Sequence, residues 1–173
     1  MSINYNICRI CVSYLGDHST LTGWLKCPSC GFSKVKKPII TLEAYLMGRE
    51  KQYPAEFTQE LLLNATIFLE KVNALLWNLG IKTADVSSGW RPAVINSSVA
   101  NAAKKSLHMT CKAIDIKDDK SQTLANKILT KPELIKNLDL WLEDPIATRG
   151  KNTNWVHLDM GIRADRPLRI FKP

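Results

Sequence analysis

Apolar side chains between residues 58 and 79 recur at intervals of three and four. The stripe consists of Leu61, Ala65, Phe68, Val72, Leu75 and Leu79. That spacing places them along one face of an α-helix. Thr58 is a favourable N-cap, and Gly80 is a favourable C-terminal stop. The pattern therefore predicts one long amphipathic helix that serves the core and requires no chemistry of its own.

Shorter patterns fill the rest of the chain. "TLEAYLMGREKQYP" predicts a short helix followed by a loop that closes at Pro54, and residues 121–136 predict a helical region broken at Pro132. Strands are predicted in "IKTADVSSGWRP", "KAIDIK", "LDLWLED" and "NWVHLDM", with a final apolar pair at residues 170–171. Because the helices come first and the strands later, the order predicts an α+β fold.

Composition and charge narrow the class of protein. The 173 residues are 45% hydrophobic and 23% charged, and no stretch approaches the length of a membrane-spanning helix. The opening "MSINYNICRICVSYLG" lacks the features of a signal peptide. The net charge is +8, and residues 1–38 carry five basic residues against one acidic residue. A basic surface suits nucleic acid, an anionic cell-wall polymer or an acidic protein, and does not choose among them.

Four of the five cysteines form two CxxC pairs separated by fifteen residues. They are Cys8, Cys11, Cys27 and Cys30. This spacing is typical of a zinc ribbon, in which four thiolates close around one structural zinc ion. Two disulfides or a redox-active pair are the alternatives. We predict a ribbon over residues 1–38, ended by Pro38, with nucleic acid or another protein as its partner.

A second candidate metal site begins in "SLHMTCKAIDI". His108 and Asp115 lie there, and His157 lies in a later predicted strand. Two imidazoles and one carboxylate are a common ligand set for a catalytic zinc ion, which keeps a fourth position open for water. The spacing alone leaves open that these residues are ordinary core or surface residues.

The surrounding segments sharpen this hypothesis. "SSGWRP", "SLHMTCKAID" and "NWVHLD" occur in this order. Together they resemble the zinc D-alanyl-D-alanine carboxypeptidase family, which includes VanY-type enzymes and phage L-alanyl-D-glutamate endopeptidases and shares its fold with hedgehog domains. The resemblance covers roughly residues 40–173. It is strongest to the compact phage-type branch, on "TLEAYLMGRE", "VNALLWNLGI", "WLEDP" and "RIFKP". It implies a small antiparallel sheet flanked by helices in a peptidase-like domain over residues 39–173.

The resemblance also implies roles for individual residues. His108, Asp115 and His157 match the family's zinc ligands. Arg91 matches an arginine whose guanidinium would clasp a substrate carboxylate, although a surface turn residue is the alternative. Ser106 matches a serine that would orient a ligand or the substrate near the metal.

Three further positions are less settled. Trp90 and Trp155 either line the cleft or belong to the core. Cys111 stands where the family pattern has glycine. It is either a small buried residue or an additional neighbour of the zinc ion.

The general base is the main departure from the family pattern. Many relatives carry an acidic residue three positions before the last histidine, where this chain has Asn154. Asparagine cannot accept a proton at neutral pH, so the base comes from elsewhere or hydrolysis is impaired. The candidates are Glu143, Asp144 and Asp159, and we favour Glu143 because a neighbouring strand can bring it beside the metal.

The residues themselves predict zinc-assisted hydrolysis, and the resemblance implies a zinc metallopeptidase that cleaves peptidoglycan stem peptides. The enzyme would be phage-derived and would act in the host cytoplasm before lysis or as part of the virion. One alternative is a phage structural or binding protein that retains the fold without turnover. The other is a nucleic-acid-binding protein that acts through the basic ribbon.

Overall fold

The computed structural model of the chain describes residues 38–100, 102–149, 154–164 and 168–172. Cys8, Cys11, Cys27 and Cys30 lie outside these residues. The zinc ribbon over residues 1–38 and the domain boundary that follows it therefore stay predictions.

Seven helices lie in the described part of the chain. They are α1 Leu42–Leu46, α2 Arg49–Gln52, α3 Gln59–Asn78, α4 Ala93–Ser98, α5 Thr123–Leu129, α6 Pro132–Asn137 and α7 Pro145–Arg149. Helix α3 confirms the long amphipathic helix: the Thr58 hydroxyl accepts a hydrogen bond from the Leu61 N–H, and Gly80 has a φ of 71°. Helices α2, α4 and α7 were not predicted, because all three are too short to show a period, and α2 replaces the predicted loop before Pro54. Over the described ranges, every helix is too short or too polar to cross a lipid bilayer.

Among the described residues, five strands form one mixed sheet. They are β1 Val86–Ser88, β2 Ala113–Lys117, β3 Trp141–Glu143, β4 Trp155–Asp159 and β5 Ile170–Phe171, in the order β1-β2-β4-β3-β5. The α+β class is confirmed, but the purely antiparallel sheet is wrong, because β5 pairs in parallel with β3. The chain reverses after β4 and passes beyond β3 to the outer edge, so β5 runs in the direction of β3.

The two faces of the sheet have different chemistry. The face that belongs to the hydrophobic core carries Ile114, Ile116, Leu142, Val156 and Leu158. These side chains share that core with the buried stripe of α3. Since side chains alternate along a strand, the residues between them lie on the opposite face. That face carries Asp115 on β2 and both His157 and Asp159 on β4, and the candidate site is built there.

Candidate metal centre

The strand register brings two of the three predicted ligands face to face. Asp115 on β2 pairs with His157 on β4. His157 Nδ1 lies 2.7 Å from Asp115 Oδ1, and His108 Nε2 lies 3.4 Å from the same oxygen. One donor atom from each of the three residues lies within 4.8 Å of the others, and within the described ranges this is the one group that could hold a metal ion.

His108 is held by the turn that precedes β2. Its backbone N–H donates to the Ser106 hydroxyl at 3.3 Å, and its ring Nδ1 lies 2.8 Å from the Gly89 carbonyl oxygen. With Nδ1 bound to that carbonyl, Nε2 is the nitrogen that points at Asp115. The side chain is only 3% exposed. Ser106 therefore positions the backbone of His108, and its predicted role in orienting a ligand or substrate stays a prediction.

His157 is anchored in the same manner by a different acceptor. Its Nε2 lies 3.2 Å from Asp159 Oδ2, which leaves Nδ1 directed at Asp115. Histidines that bind metal usually donate their other ring N–H to a carboxylate or carbonyl, which fixes the tautomer. Both histidines here meet that condition. Two imidazoles and one carboxylate, each with one donor atom turned inward, therefore fit a zinc ion.

Arg91 supports the candidate ligand Asp115. Its Nη2 lies 2.6 Å from Asp115 Oδ2, and its Nε donates to the Ser88 hydroxyl at 2.8 Å. This edge of the guanidinium is occupied within the protein, so it does not offer a two-bond grip on a substrate carboxylate. Asp115 thereby gains a buried positive partner, and the role of Arg91 as substrate anchor stays a prediction.

Asp159 supports His157 through a contact with Nε2, and its role as the general base stays a prediction. Its side chain is 1% exposed and accepts hydrogen bonds from both terminal nitrogens of Arg163, at 2.5 and 2.8 Å. The Gly161 N–H donates to it as well, at 2.8 Å. Buried and already bonded to His157, this carboxylate is poorly placed to carry protons to a substrate.

The position of Glu143 relative to His157 follows from the strand register. Leu142 on β3 pairs with Leu158 on β4, so the next residue, Glu143, comes opposite His157 on the same face. Glu143 also pairs with Phe171 on β5, whose ring meets the His157 ring edge-on with 6.1 Å between centroids. Asp144 lies one position further, and its carboxylate accepts the Ile146 N–H. The register therefore favours Glu143 over Asp144 as the base, which stays a prediction.

The remaining predicted positions lie around the site. Trp90 is buried and packs against Phe57, so it belongs to the core. Trp155 is 37% exposed on the site face of β4. Asn154 is exposed at the start of β4.

Cys111 is buried, and burial raises the pKa of its thiol to about 12. Its φ of 57° explains why the family pattern has glycine at this position. Cys111 is not part of the group that could hold the metal.

Charge is distributed unevenly over the cluster. Burial would raise the pKa of Asp115, but hydrogen bonds from His108 and His157 outweigh it and hold that pKa well below the ordinary range. Burial lowers the pKa of His108, only partly offset by Asp115. Burial also opposes charge on His157, but its bonds to Asp115 and Asp159 prevail and raise its pKa to about 9. Without metal at pH 7, His157 is therefore the cationic ring and His108 the neutral one.

Metal binding should consequently release one proton at pH 7. His157 must lose the proton that its raised pKa retains, whereas Asp115 is already ionised and His108 is already neutral. We expect the zinc affinity to rise about tenfold per pH unit from pH 7 until the pKa of His157 is passed. Calorimetry in buffers of different ionisation enthalpy measures the number of protons released per zinc ion bound. The zinc that a His108→Ala variant still binds corrects for metal bound elsewhere. An affinity that does not change with pH would contradict this assignment.

Gly89 is a position where any side chain is excluded. A Cβ there would overlap the backbone carbonyl of Tyr45, and the Gly89 carbonyl holds His108. We expect Gly89→Ala to lower the free energy of unfolding by about 3 kcal/mol. The control is Gly80→Ala, where the added Cβ meets open space and only the left-handed backbone is strained, which costs about 1 kcal/mol. Chemical denaturation measures both, and equal losses would count against the close packing at Gly89.

Sequence reasoning missed two contributors to the site. The backbone role of Gly89 is not visible in the "SSGWRP" motif by itself. Arg163 carries one weak signal, since it follows Asp159 by four residues. Neither role is predictable without the fold, because each depends on the partner that the fold brings to it.

Comparison with known proteins agrees with this geometry. The family model described as Peptidase M15 matches residues 56–159, more than half of the chain, and the match includes His108, Asp115 and His157. A search of the curated proteins finds no significant match, and a search of the solved structures finds none either. The extent of the family match identifies the chain as a member of the peptidase M15 family.

Proposed function

We propose that the protein is a zinc metallopeptidase that hydrolyses the stem peptides of peptidoglycan. The observation that carries this proposal is the inward convergence of His108 Nε2, Asp115 Oδ1 and His157 Nδ1, in a chain of the peptidase M15 family. Each histidine has its other nitrogen fixed by an acceptor. Such a preorganised set of three ligands suits a catalytic metal better than a closed structural one.

The three ligands would hold the zinc ion, which when bound polarises a carbonyl group and activates water. Arg91 keeps the Asp115 carboxylate oriented through Oδ2, which leaves Oδ1 for the metal. Glu143, opposite His157 in the register, would take the proton from water and pass it to the leaving amine. Glu143 would thus supply the acidic group that many relatives carry at the position of Asn154.

A cleft near the centre, whose lining includes none of the three candidate ligands, would receive part of the peptide. It has a volume of about 460 Å³ and is lined by Asp144, Arg163, Ala164, Ile170, Phe171 and Lys172. Phe171 connects it to the centre, because its ring contacts that of His157.

The sequence resemblance supports the proposed substrate class, and the charge of the chain is compatible with it. Stem peptides and the polymers around them are rich in carboxylates, and the chain carries a net charge of +8. The resemblance to phage-type enzymes favours either the D-alanyl-D-alanine bond or the L-alanyl-D-glutamate bond. It also leads us to propose that the protein acts in phage-driven lysis or as a virion component.

The test is digestion of purified peptidoglycan by the zinc-loaded protein, by the chelated protein and by a His157→Ala variant. We expect new termini only with zinc-loaded wild type, and the masses of the released fragments identify the bond. Binding of peptidoglycan without release of termini would favour the non-catalytic alternative. Activity that survives both chelation and His157→Ala would contradict the proposed centre.

A further inference from the structure

A second group of side chains packs behind His157, on the side away from Asp115. Asp159 lies next to the ring nitrogen Nε2, at 3.2 Å. Arg163 binds both oxygens of that carboxylate, with Nη1 on Oδ1 and Nη2 on Oδ2. The carboxylate therefore cannot turn about its axis without breaking two charge-assisted hydrogen bonds.

Arg163 is itself fixed by aromatic rings. The centre of its guanidinium lies 3.7 Å from the Phe171 ring centroid and 5.3 Å from that of Trp141. A guanidinium can stack its face on a ring while its edge binds a carboxylate, so the two contacts do not compete. Arg163 thus ties β3, β4 and β5 together at one point next to the metal ligand.

We infer that Arg163 is a positioning residue for the metal centre, which it influences through Asp159 and His157. By holding Asp159 in place, it keeps an acceptor opposite Nε2, so that the Nδ1 lone pair of His157 is presented to the metal. This inference rests on the metal centre of the proposed function, but it does not require that the protein turn over a substrate.

The aromatic cluster supplies a matched control. Arg169 also lies over the Trp141 ring, at 4.9 Å from its centroid, but it pairs with Asp139 at 2.8 Å. Asp139 is 67% exposed and is not among the residues that could hold the metal. Replacing Arg169 therefore removes an arginine from the same cluster without touching Asp159.

The experiment measures metal binding rather than activity. Zinc affinity is determined by competition with a chromogenic chelator, and ligand geometry by the visible absorption of the cobalt-substituted protein. The zinc that a His108→Ala variant still binds is bound elsewhere in the protein, and this amount is subtracted. We expect Arg163→Gln to weaken zinc binding by about 10- to 100-fold and to change the cobalt spectrum. We expect Arg169→Gln to leave the zinc affinity and the cobalt spectrum unchanged. Arg163→Lys keeps the charge but cannot bind both carboxylate oxygens with a planar fork, so it should recover part of the affinity.

A double-mutant cycle tests whether Arg163 acts through Asp159. If it does, Arg163→Gln should weaken binding no further once Asp159→Asn is present. Fully additive losses would overturn the inference, as would an affinity within twofold of wild type in Arg163→Gln or an equal loss in Arg169→Gln. Should Arg163→Gln fail to fold, Arg163→Lys takes its place in the same cycle. Wild type without metal at this centre would refute the proposed function itself, whereas a wild-type site insensitive to Arg163 refutes only this inference.

Discussion

Replacing Asp115 with asparagine is expected to abolish zinc binding at the centre and to reduce peptidase activity by about a thousandfold or more. Asp115 Oδ1 lies between the two histidine rings, and Oδ2 binds Arg91. An amide keeps the volume of the carboxylate but removes its charge. The variant therefore loses a metal ligand and leaves the cationic groups around it without their shared anion.

The same substitution should destabilise the protein even without metal. Arg91 and His157 are largely buried beside Asp115, with side chains 12% and 14% exposed. Removing one partner of a buried ion pair costs about 3 to 5 kcal/mol. Thermal and chemical denaturation of the metal-free proteins measure the loss, with Asp85→Asn as control, since Asp85 is an exposed carboxylate beside β1. Zinc affinity and stability that both equal those of Asp85→Asn would contradict this role for Asp115.

Glu143→Gln should separate catalysis from metal binding. If Glu143 carries the proton, its amide variant loses about 100- to 10,000-fold in rate while zinc affinity stays near that of wild type. The matched control is Asp144→Asn, because an asparagine side chain can still accept the Ile146 N–H that Asp144 accepts. Rates on stem peptides and parallel zinc titrations measure the two properties. A large loss in Asp144→Asn with little change in Glu143→Gln would assign the base to Asp144.

The sequence predicted those parts of the molecule whose signal is local. The apolar stripe of α3 repeats over about five turns, and this period identifies the helix. The alternation in "KAIDIK" places Ile114 and Ile116 on the core face and Asp115 on the other. For the candidate ligands, the order of three short motifs predicted His108, Asp115 and His157, which the fold brings together, although their spacing alone did not predict them.

Features that depend on tertiary contacts were not predictable. The direction of β5 is set by the path of the chain after β4, and a two-residue apolar pair carries no information about it. Asp159 was predicted among the candidate bases because it shares a face with His157. Its ion pair with Arg163 is visible only in the fold. The ion pair between Arg91 and the candidate ligand Asp115 also depends on the fold and carried no signal in the sequence.

The zinc content of purified wild type and of His108→Ala, measured by elemental mass spectrometry, tests the central claim most directly. His108 contributes one inward nitrogen to this centre and does not belong to the predicted ribbon, whose four ligands are cysteine thiolates. Its loss should therefore empty the centre and leave the predicted ribbon filled. We expect two zinc ions per chain in wild type and one in His108→Ala. An equal zinc content in the two proteins would contradict a metal centre formed by His108, Asp115 and His157.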